Sequence, residues 1–228
     1  MPRLLKVLLM LVLLSANVAS YALPKNVQLE YDVARNGKLF ATVKETFTQD
    51  GKQYRIKSVT KGLGIYALMG ERVLISNGAV TKNGLKPMHF ELHQGKGGKK
   101  TLIADFDWPK NQLRMQVKGE TKTEKLTAGT QDLASYAYQF IFRPPGKNAV
   151  DVTLTTGKSL KQYHYRIIAR DVAVASYKTL QISNEAAAGE EKKQLWLAQE
   201  QYYLPVRYKL TDEDGEDFEQ TLTKLSIQ

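Results

Sequence analysis

Four short stretches of the sequence hold residue types that could do chemistry. His89, Glu91 and His93 alternate along one segment, and imidazole with carboxylate is a zinc-type ligand set. In an extended strand, neighbours at i and i+2 stand about 7 Å apart, so two of the three could share an ion. His89 and His93 would be about 14 Å apart and could not both reach it without a bulge. The spacing therefore reads as a wet polar face, and no metal ligand is assigned. Ser58-Val59-Thr60-Lys61 has the Ser-x-x-Lys pattern of penicillin-binding enzymes. That chemistry needs the serine to start a helix with the lysine one turn later, and this stretch reads as a strand running into Gly62. Asp105 and Asp107 share a strand face before Trp108, and an acid pair about 5 to 9.5 Å apart serves glycoside hydrolysis. No third polar group stands beside them, so they read as solvated surface. Gln94–Lys100 is rich in glycine and lysine but lacks the spacing and following helix of a nucleotide loop. On a hairpin tip, Lys96, Lys99 and Lys100 suit the phosphate of a lipid or of lipopolysaccharide. No catalytic residue and no cofactor is assigned.

The elements that must carry these residues are strands. Val27, Leu29, Tyr31 and Val33 alternate with Gln28, Glu30 and Asp32. The same period of two recurs at Met88–Leu92, Leu113–Val117, Tyr163–Ile167 and Tyr202–Leu210, each with one apolar and one wet face. Asn36-Gly37, Asp50-Gly51, Asn77-Gly78, Asn83-Gly84 and Asp214-Gly215 suit tight turns that need positive φ, and Trp108-Pro109 makes another. Short turns force sequential strands to be antiparallel neighbours. A meander this long curls into a barrel or half-barrel to cover its edges. One stretch departs from the pattern: Asp132–Phe142 places Leu133, Ala137, Phe140 and Ile141 at helical spacing, capped by Thr130 and stopped by Pro144-Pro145. It predicts one α-helix covering the sheet. Gly64–Gly70 reads as a helical turn or loop, and Asn184–Lys193 as a hairpin loop. Pro205 lacks the N–H for a ladder bond and so marks an edge or bulge. Trp196 lies off the Leu195/Leu197 face, either covering the barrel rim or lining its inner side.

The chain opens with Arg3 and Lys6, an apolar run Val7–Leu14, and the small residues Ser20 and Ala22. That order is a secretory signal peptide, cleaved after Ala22, and it directs the protein to the periplasm. The apolar run is too short for a membrane span, which needs roughly 20 residues. The mature chain would be a single soluble β-rich domain, residues 23–228, with no transmembrane segment. Its 206 residues carry a net charge of +8, since Arg3 and Lys6 leave with the leader. There is no cysteine, which excludes disulfides, thiol catalysis and thiolate metal sites. A basic exported protein favours anionic partners, here anionic lipid or lipopolysaccharide, and not nucleic acid.

The last third carries Trp196-Leu197, then Tyr203-Leu204-Pro205-Val206-Arg207, the Asp214-Gly215 turn and a final strand ending at Ile227. With Tyr31 and Gly37 near the start and Asp132-Leu133-Ala134-Ser135 in mid-chain, this resembles the exported bacterial family called domain of unknown function 3108, over about Val27 to Gln228. The resemblance implies a curved antiparallel sheet with one helix, similar in outline to periplasmic lipoprotein-carrier half-barrels. It implies no catalytic residues.

The sequence expectation is a non-catalytic binding or carrier module for a hydrophobic or amphiphilic envelope ligand. Twelve tyrosines, many in the helix and late strands, suit a cavity with apolar walls and polar handles. The expected lining is Leu133, Ala137, Phe140, Tyr163, Tyr165 and Trp196, with Lys96, Lys99 and Lys100 at the head group. A second reading is an envelope scaffold that binds another protein or an acidic glycan. A third is a hydrolase of an envelope polymer acting through Asp105, Asp107 or Ser58.

Overall fold

A computed structural model describes residues 23–98, 100–187 and 189–228. The leader and its cleavage point, and Lys99, lie outside the described residues. The strands are β1 (Asn26–Arg35), β2 (Lys38–Gln49), β3 (Gln53–Gly62), β4 (Arg72–Thr81), β5 (Gly84–Gln94), β6 (Lys100–Asp107), β7 (Gln112–Val117) and β8 (Glu120–Lys125). Then comes a crossing segment, residues 126–146, which holds β9 (Gln131–Asp132) and α1 (Gln139–Phe142). The rest are β10 (Ala149–Thr155), β11 (Leu160–Val174), β12 (Tyr177–Asn184), β13 (Lys192–Ala198), β14 (Leu204–Thr211) and β15 (Asp217–Ile227). All belong to one sheet, which runs from β8 down to β1, across to β15, and on down to β9. Every pairing is antiparallel except the short β9–β10 pair. The sheet joins its own two halves where Val27 meets Ile227 and Arg35 meets Phe218.

The sheet curls into a barrel-like shape without closing, because β8 and β9 are its two free edges. Near that seam the contact is made by side chains: the Thr155 hydroxyl lies 3.4 Å from Met115 Sδ. Gly157 also packs so tightly that a Cβ there would fall 3.0 Å from the Leu102 side chain. The β8 edge reads Glu-Thr-Lys-Thr-Glu-Lys and is exposed; charges of that kind stop a second strand from pairing with it.

Alternation places the core inside the curl. Val27, Leu29, Phe47, Ile56, Phe90, Leu113 and Met115 are fully buried and form one cluster with the crossing segment. Tyr165, Leu180, Ile182, Leu195 and Leu197 form a second with Tyr136 and Phe140. At about 1.5–3 kcal/mol for each buried large apolar side chain, these clusters supply most of the stabilisation.

Three local details differ from the sequence expectation. Asn77-Gly78 is not a turn. It lies within β4 at a bulge, where Asn77 faces His89 and Gly78 faces Pro87, and a Cβ on Gly78 would sit 2.2 Å from the Lys86 carbonyl oxygen. Pro87 has no N–H for the ladder, so the strands step past each other here and Met88, left out of register, is exposed. The strand expected from Tyr202 starts at Leu204, because Tyr202 and Tyr203 both take positive φ in the turn from β13. The α-helix is shorter than the apolar spacing suggests. It runs only Gln139–Phe142, and Leu133–Tyr138 forms turns. The Asp132 carboxylate accepts from the N–H groups of Ala134 (2.9 Å) and Ser135 (2.8 Å) as an N-cap does, yet the residues that follow make isolated turns and no continuous helix.

Pro205 does sit at a bulge, between the Trp196–Arg207 and Leu197–Pro205 pairs, and its carbonyl accepts from the buried Tyr31 hydroxyl at 2.8 Å. Gly64–Met69 forms a 3₁₀ segment between β3 and β4.

Candidate functional site

The crossing segment enters the curl and fills one end of it. Gln139 accepts from the Leu85 N–H at 2.6 Å and donates to the Asn83 carbonyl at 3.0 Å, which ties α1 to the β4–β5 turn. Gln131 donates to the Leu85 carbonyl at 3.0 Å. Tyr138 stacks on Phe47 with ring centroids 5.2 Å apart. Deeper in, Ser76 donates to Asp132 at 2.6 Å and accepts from Tyr54 at 3.0 Å. Burial pushes the Asp132 carboxyl up to about 6 against the lowering effect of these donors. Both Asp132 carboxylate oxygens and the Ser76 and Tyr54 hydroxyls have partners, so they hold the segment in place.

Above this floor the curl is hollow. A cavity of about 900 Å³ lies between the inner faces of β1–β4 and β13–β15, and the crossing segment forms its base. That volume is at the upper end of the roughly 300–1,000 Å³ usual for small-molecule pockets. Its walls carry Val33, Phe40, Leu74, Leu195, Leu210 and Phe218. Its mouth, at the end opposite α1, is made by Tyr66, Leu68, Met69, Lys96 and Lys100.

Charged side chains occupy inward positions along these walls. Glu45 falls between Val43 and Phe47 on β2 and accepts from the Tyr138 hydroxyl at 2.9 Å. Burial pushes its carboxyl up, opposed by Ser58, Tyr138 and Arg72. Arg72 is in phase with Leu74 on β4 and faces the cavity. Burial pulls its pKa down, while Tyr208 and Glu45 act the other way. Among the described residues no carboxylate pairs with its guanidinium and no hydrogen bond satisfies it, although cavity partners surround it. Lys193, buried on β13, donates to the Tyr163 hydroxyl at 2.9 Å, pairs with Glu191 and lies 4.1 Å from the Tyr163 ring centroid. Burial also keeps Tyr136, Tyr138 and Tyr208 protonated far above the usual phenol range. The result is a largely apolar chamber with neutral hydroxyls, in which the Arg72 guanidinium faces the Glu45 carboxyl and the lumen without an ion pair among the described residues, an arrangement that can hold an anionic group attached to an apolar body.

Of the expected lining, Leu133, Ala137, Lys96 and Lys100 do border the cavity. Tyr163 stands one layer behind it, holding Lys193. Phe140 and Tyr165 belong to the core beneath. Trp196 is on the other face of β13, packed with Ala198 and Val206 under the Arg207 guanidinium at 4.7 Å; the period of two turns it away from Leu195. Lys99 lies outside the described residues. Sequence reasoning missed Glu45, Arg72 and Lys193, each a charge standing in the apolar phase of its strand.

The residues weighed for catalysis do not converge on one site, although Asp105 finds a polar neighbour in His89. Ser58 is buried and faces the cavity opposite Glu45. Lys61, three residues on, is exposed on the other face and pairs with Glu71 at 3.0 Å. His89 bridges Asp105 and Glu91, both at 2.7 Å, and His93 meets Glu91 at 2.6 Å. This chain runs along the half-exposed outer face. Burial draws His89 down, but the two carboxylates outweigh it and hold its pKa above the ordinary value. Asp107 caps the β6–β7 turn through the Lys110 N–H at 3.2 Å.

No helix among the described residues is long and apolar enough to cross a membrane. No curated protein matches the chain. The fold is similar to a crystal structure of a β-barrel-like protein of domain of unknown function DUF1849 from Brucella abortus. The TM-score is 0.54 at 12% identity, covering 90% of this chain and 98% of that one. Residues 30–223 match the family described as "Protein of unknown function (DUF3108)", and the chain, most of which that match spans, belongs to this family.

Proposed function

We propose that this protein is an exported, non-catalytic carrier that holds one anionic amphiphile, a fatty acid or lipid of the cell envelope, inside the barrel-like sheet. The leader at residues 1–22 supports a periplasmic setting. The observation that carries the reading is the Arg72 guanidinium, half-buried and facing a largely apolar chamber of about 900 Å³, with no ion pair or hydrogen bond to protein among the described residues. A charge drawn partly out of water with no counter-charge beside it costs stability. A ligand carboxylate or phosphate would complete the pair, with Tyr208 beside it and the acyl chain against Leu74, Leu195 and Phe218.

The test is a fluorescence titration of residues 23–228 with an anthroyloxy-labelled fatty acid and with its methyl ester. Saturable binding of one acid per chain is expected. The ester, which lacks the charge, should bind about tenfold more weakly. Ala137→Trp, which fills the chamber from its floor, should abolish binding while leaving the unfolding transition cooperative. An absence of saturable binding, or equal binding by Ala137→Trp, would overturn the reading.

A further inference from the structure

The mouth of the cavity presents apolar side chains to water. In the 3₁₀ segment Gly64–Met69 three of the six residues are large and widely exposed: Ile65 at 76%, Leu68 at 68% and Met69 at 65%. Leu63 and Tyr66 beside them are partly exposed as well. A contiguous apolar patch of this kind on a protein surface marks an interaction site.

The segment is built to hold that posture. Tyr66 packs edge-on against Phe40 with centroids 5.4 Å apart, and the Leu63 N–H donates to the Phe40 carbonyl at 2.8 Å. The chain folds back so closely on Gly62 that a Cβ there would meet the Tyr66 carbonyl carbon and oxygen at 2.4 Å. Gly70, at φ +81, packs on the β5–β6 loop, where a Cβ would lie 2.8 Å from the Lys96 nitrogen. With the backbone pinned at both ends, Ile65, Leu68 and Met69 are directed outward.

The charge around the segment is one-sided. Lys96 on the β5–β6 loop and Lys100 at the start of β6 flank it, share the cavity mouth, and have no ion pair among the described residues. The opposite rim, the β14–β15 turn, is acidic with Asp212, Glu213 and Asp214. A negatively charged surface would therefore meet the molecule at the Gly64–Met69 corner and not across the whole rim.

We infer that this corner docks on an anionic lipid bilayer, with Ile65, Leu68 and Met69 entering the head-group boundary and Lys96 and Lys100 meeting lipid phosphates. Apolar insertion combined with basic attraction is the physics of peripheral membrane binding. Because Leu68 and Met69 both line the chamber and reach into solvent, docking would set its mouth against the source of an acyl chain. The inference builds on the carrier reading, and one variant separates the two.

The test is flotation of residues 23–228 with vesicles of phosphatidylglycerol and phosphatidylcholine, and with pure phosphatidylcholine vesicles. Flotation with the anionic vesicles is expected, weakened by salt. Ile65→Ser/Leu68→Ser/Met69→Ser should reduce it about tenfold or more. Lys96→Ser/Lys100→Ser should remove much of the salt dependence. Ala137→Trp should float like the wild type, so loss of cargo binding alone leaves docking intact. The inference is overturned if the wild type stays in solution, or if the triple variant floats as well as the wild type. It is equally overturned if the wild type forms a dimer in sedimentation that the triple variant dissolves, which would make the corner a self-interface.

Discussion

Two charged side chains facing the inside of the same sheet, Asp132 fully buried and Arg72 half-buried, have opposite surroundings. Asp132 receives the Ala134 and Ser135 N–H groups and the Ser76 hydroxyl, and Ser76 in turn receives Tyr54. Arg72, two strand positions from Leu74, faces the chamber with Tyr208 and Glu45 nearby and no bond to either. The difference separates a polar group kept for structure from one kept for a ligand. A buried group whose every lone pair is met fixes the backbone around it. A half-buried charge with no protein partner is left free to meet a ligand, at some cost to stability in the empty protein.

The largest expected effect breaks the first half of this comparison. Asp132→Ala would leave two backbone N–H groups and a serine hydroxyl unsatisfied and release the crossing segment. A loss of about 3 kcal/mol or more is expected in urea unfolding, and a loss near zero would show that the knot does not hold the fold. The same carboxyl gives a pH signature. Its folded pKa, about 6, lies above its ordinary 3.8, so the folded state takes up the proton first. This contribution to stability is greatest below about pH 4, falls as pH rises towards 6, and is flat above that. The change is on the order of 3 kcal/mol. Asp132→Asn, which carries no titrating group, should flatten that slope in thermal melts at pH 4, 5, 6 and 7.

Next in size is Arg72→Met, which sharpens the contrast because its two effects have opposite signs. Removing an unpaired charge from an apolar wall should raise unfolding stability by about 1 kcal/mol. Affinity for the labelled fatty acid should fall about tenfold or more. A variant that loses stability and keeps affinity would place Arg72 with Asp132 among the structural groups. The smallest effect is expected on the outer face. His89→Ala breaks the chain from Asp105 to Glu91 where the side chains are half-exposed, so stability should move by about 0.5 kcal/mol or less and binding should be unchanged. A clear change in fatty acid affinity would reconnect that face to the site.

The strands were legible because each carries a strict alternation, and four of the five glycine turns fell where positive φ was needed. Asn77-Gly78 misled because its glycine answers a close approach to Lys86 and the missing N–H of Pro87, and both lie on another strand. The helix was drawn too long because Leu133, Ala137, Phe140 and Ile141 are apolar for a different reason: they plug the inside of the sheet. The β1–β15 pairing joins residues some 200 positions apart, and no local pattern records it. The site was only half legible. Leu133, Ala137, Lys96 and Lys100 border the cavity as expected, whereas Trp196, off the Leu195/Leu197 face as its spacing says, packs with Ala198 and Val206 and does not line it. Glu45 and Arg72 belong to no motif that singles them out, and Lys193 closes the Asn184–Lys193 stretch that reads as a loop. The signal was present: each stands at a position where its strand otherwise places an apolar or buried residue, as at Val43 and Phe47, Leu74 and Ser76, or Leu195 and Leu197.

The central claim is that the chamber around Arg72 carries an anionic amphiphile. Lipid mass spectrometry tests it most directly, on wild type and Arg72→Met purified from the cell envelope without detergent. The account predicts about one acyl-bearing anion per wild-type chain and a strongly reduced amount in an equally well folded Arg72→Met. A wild-type protein that emerges with no bound lipid, or a variant that carries the same load, would contradict it.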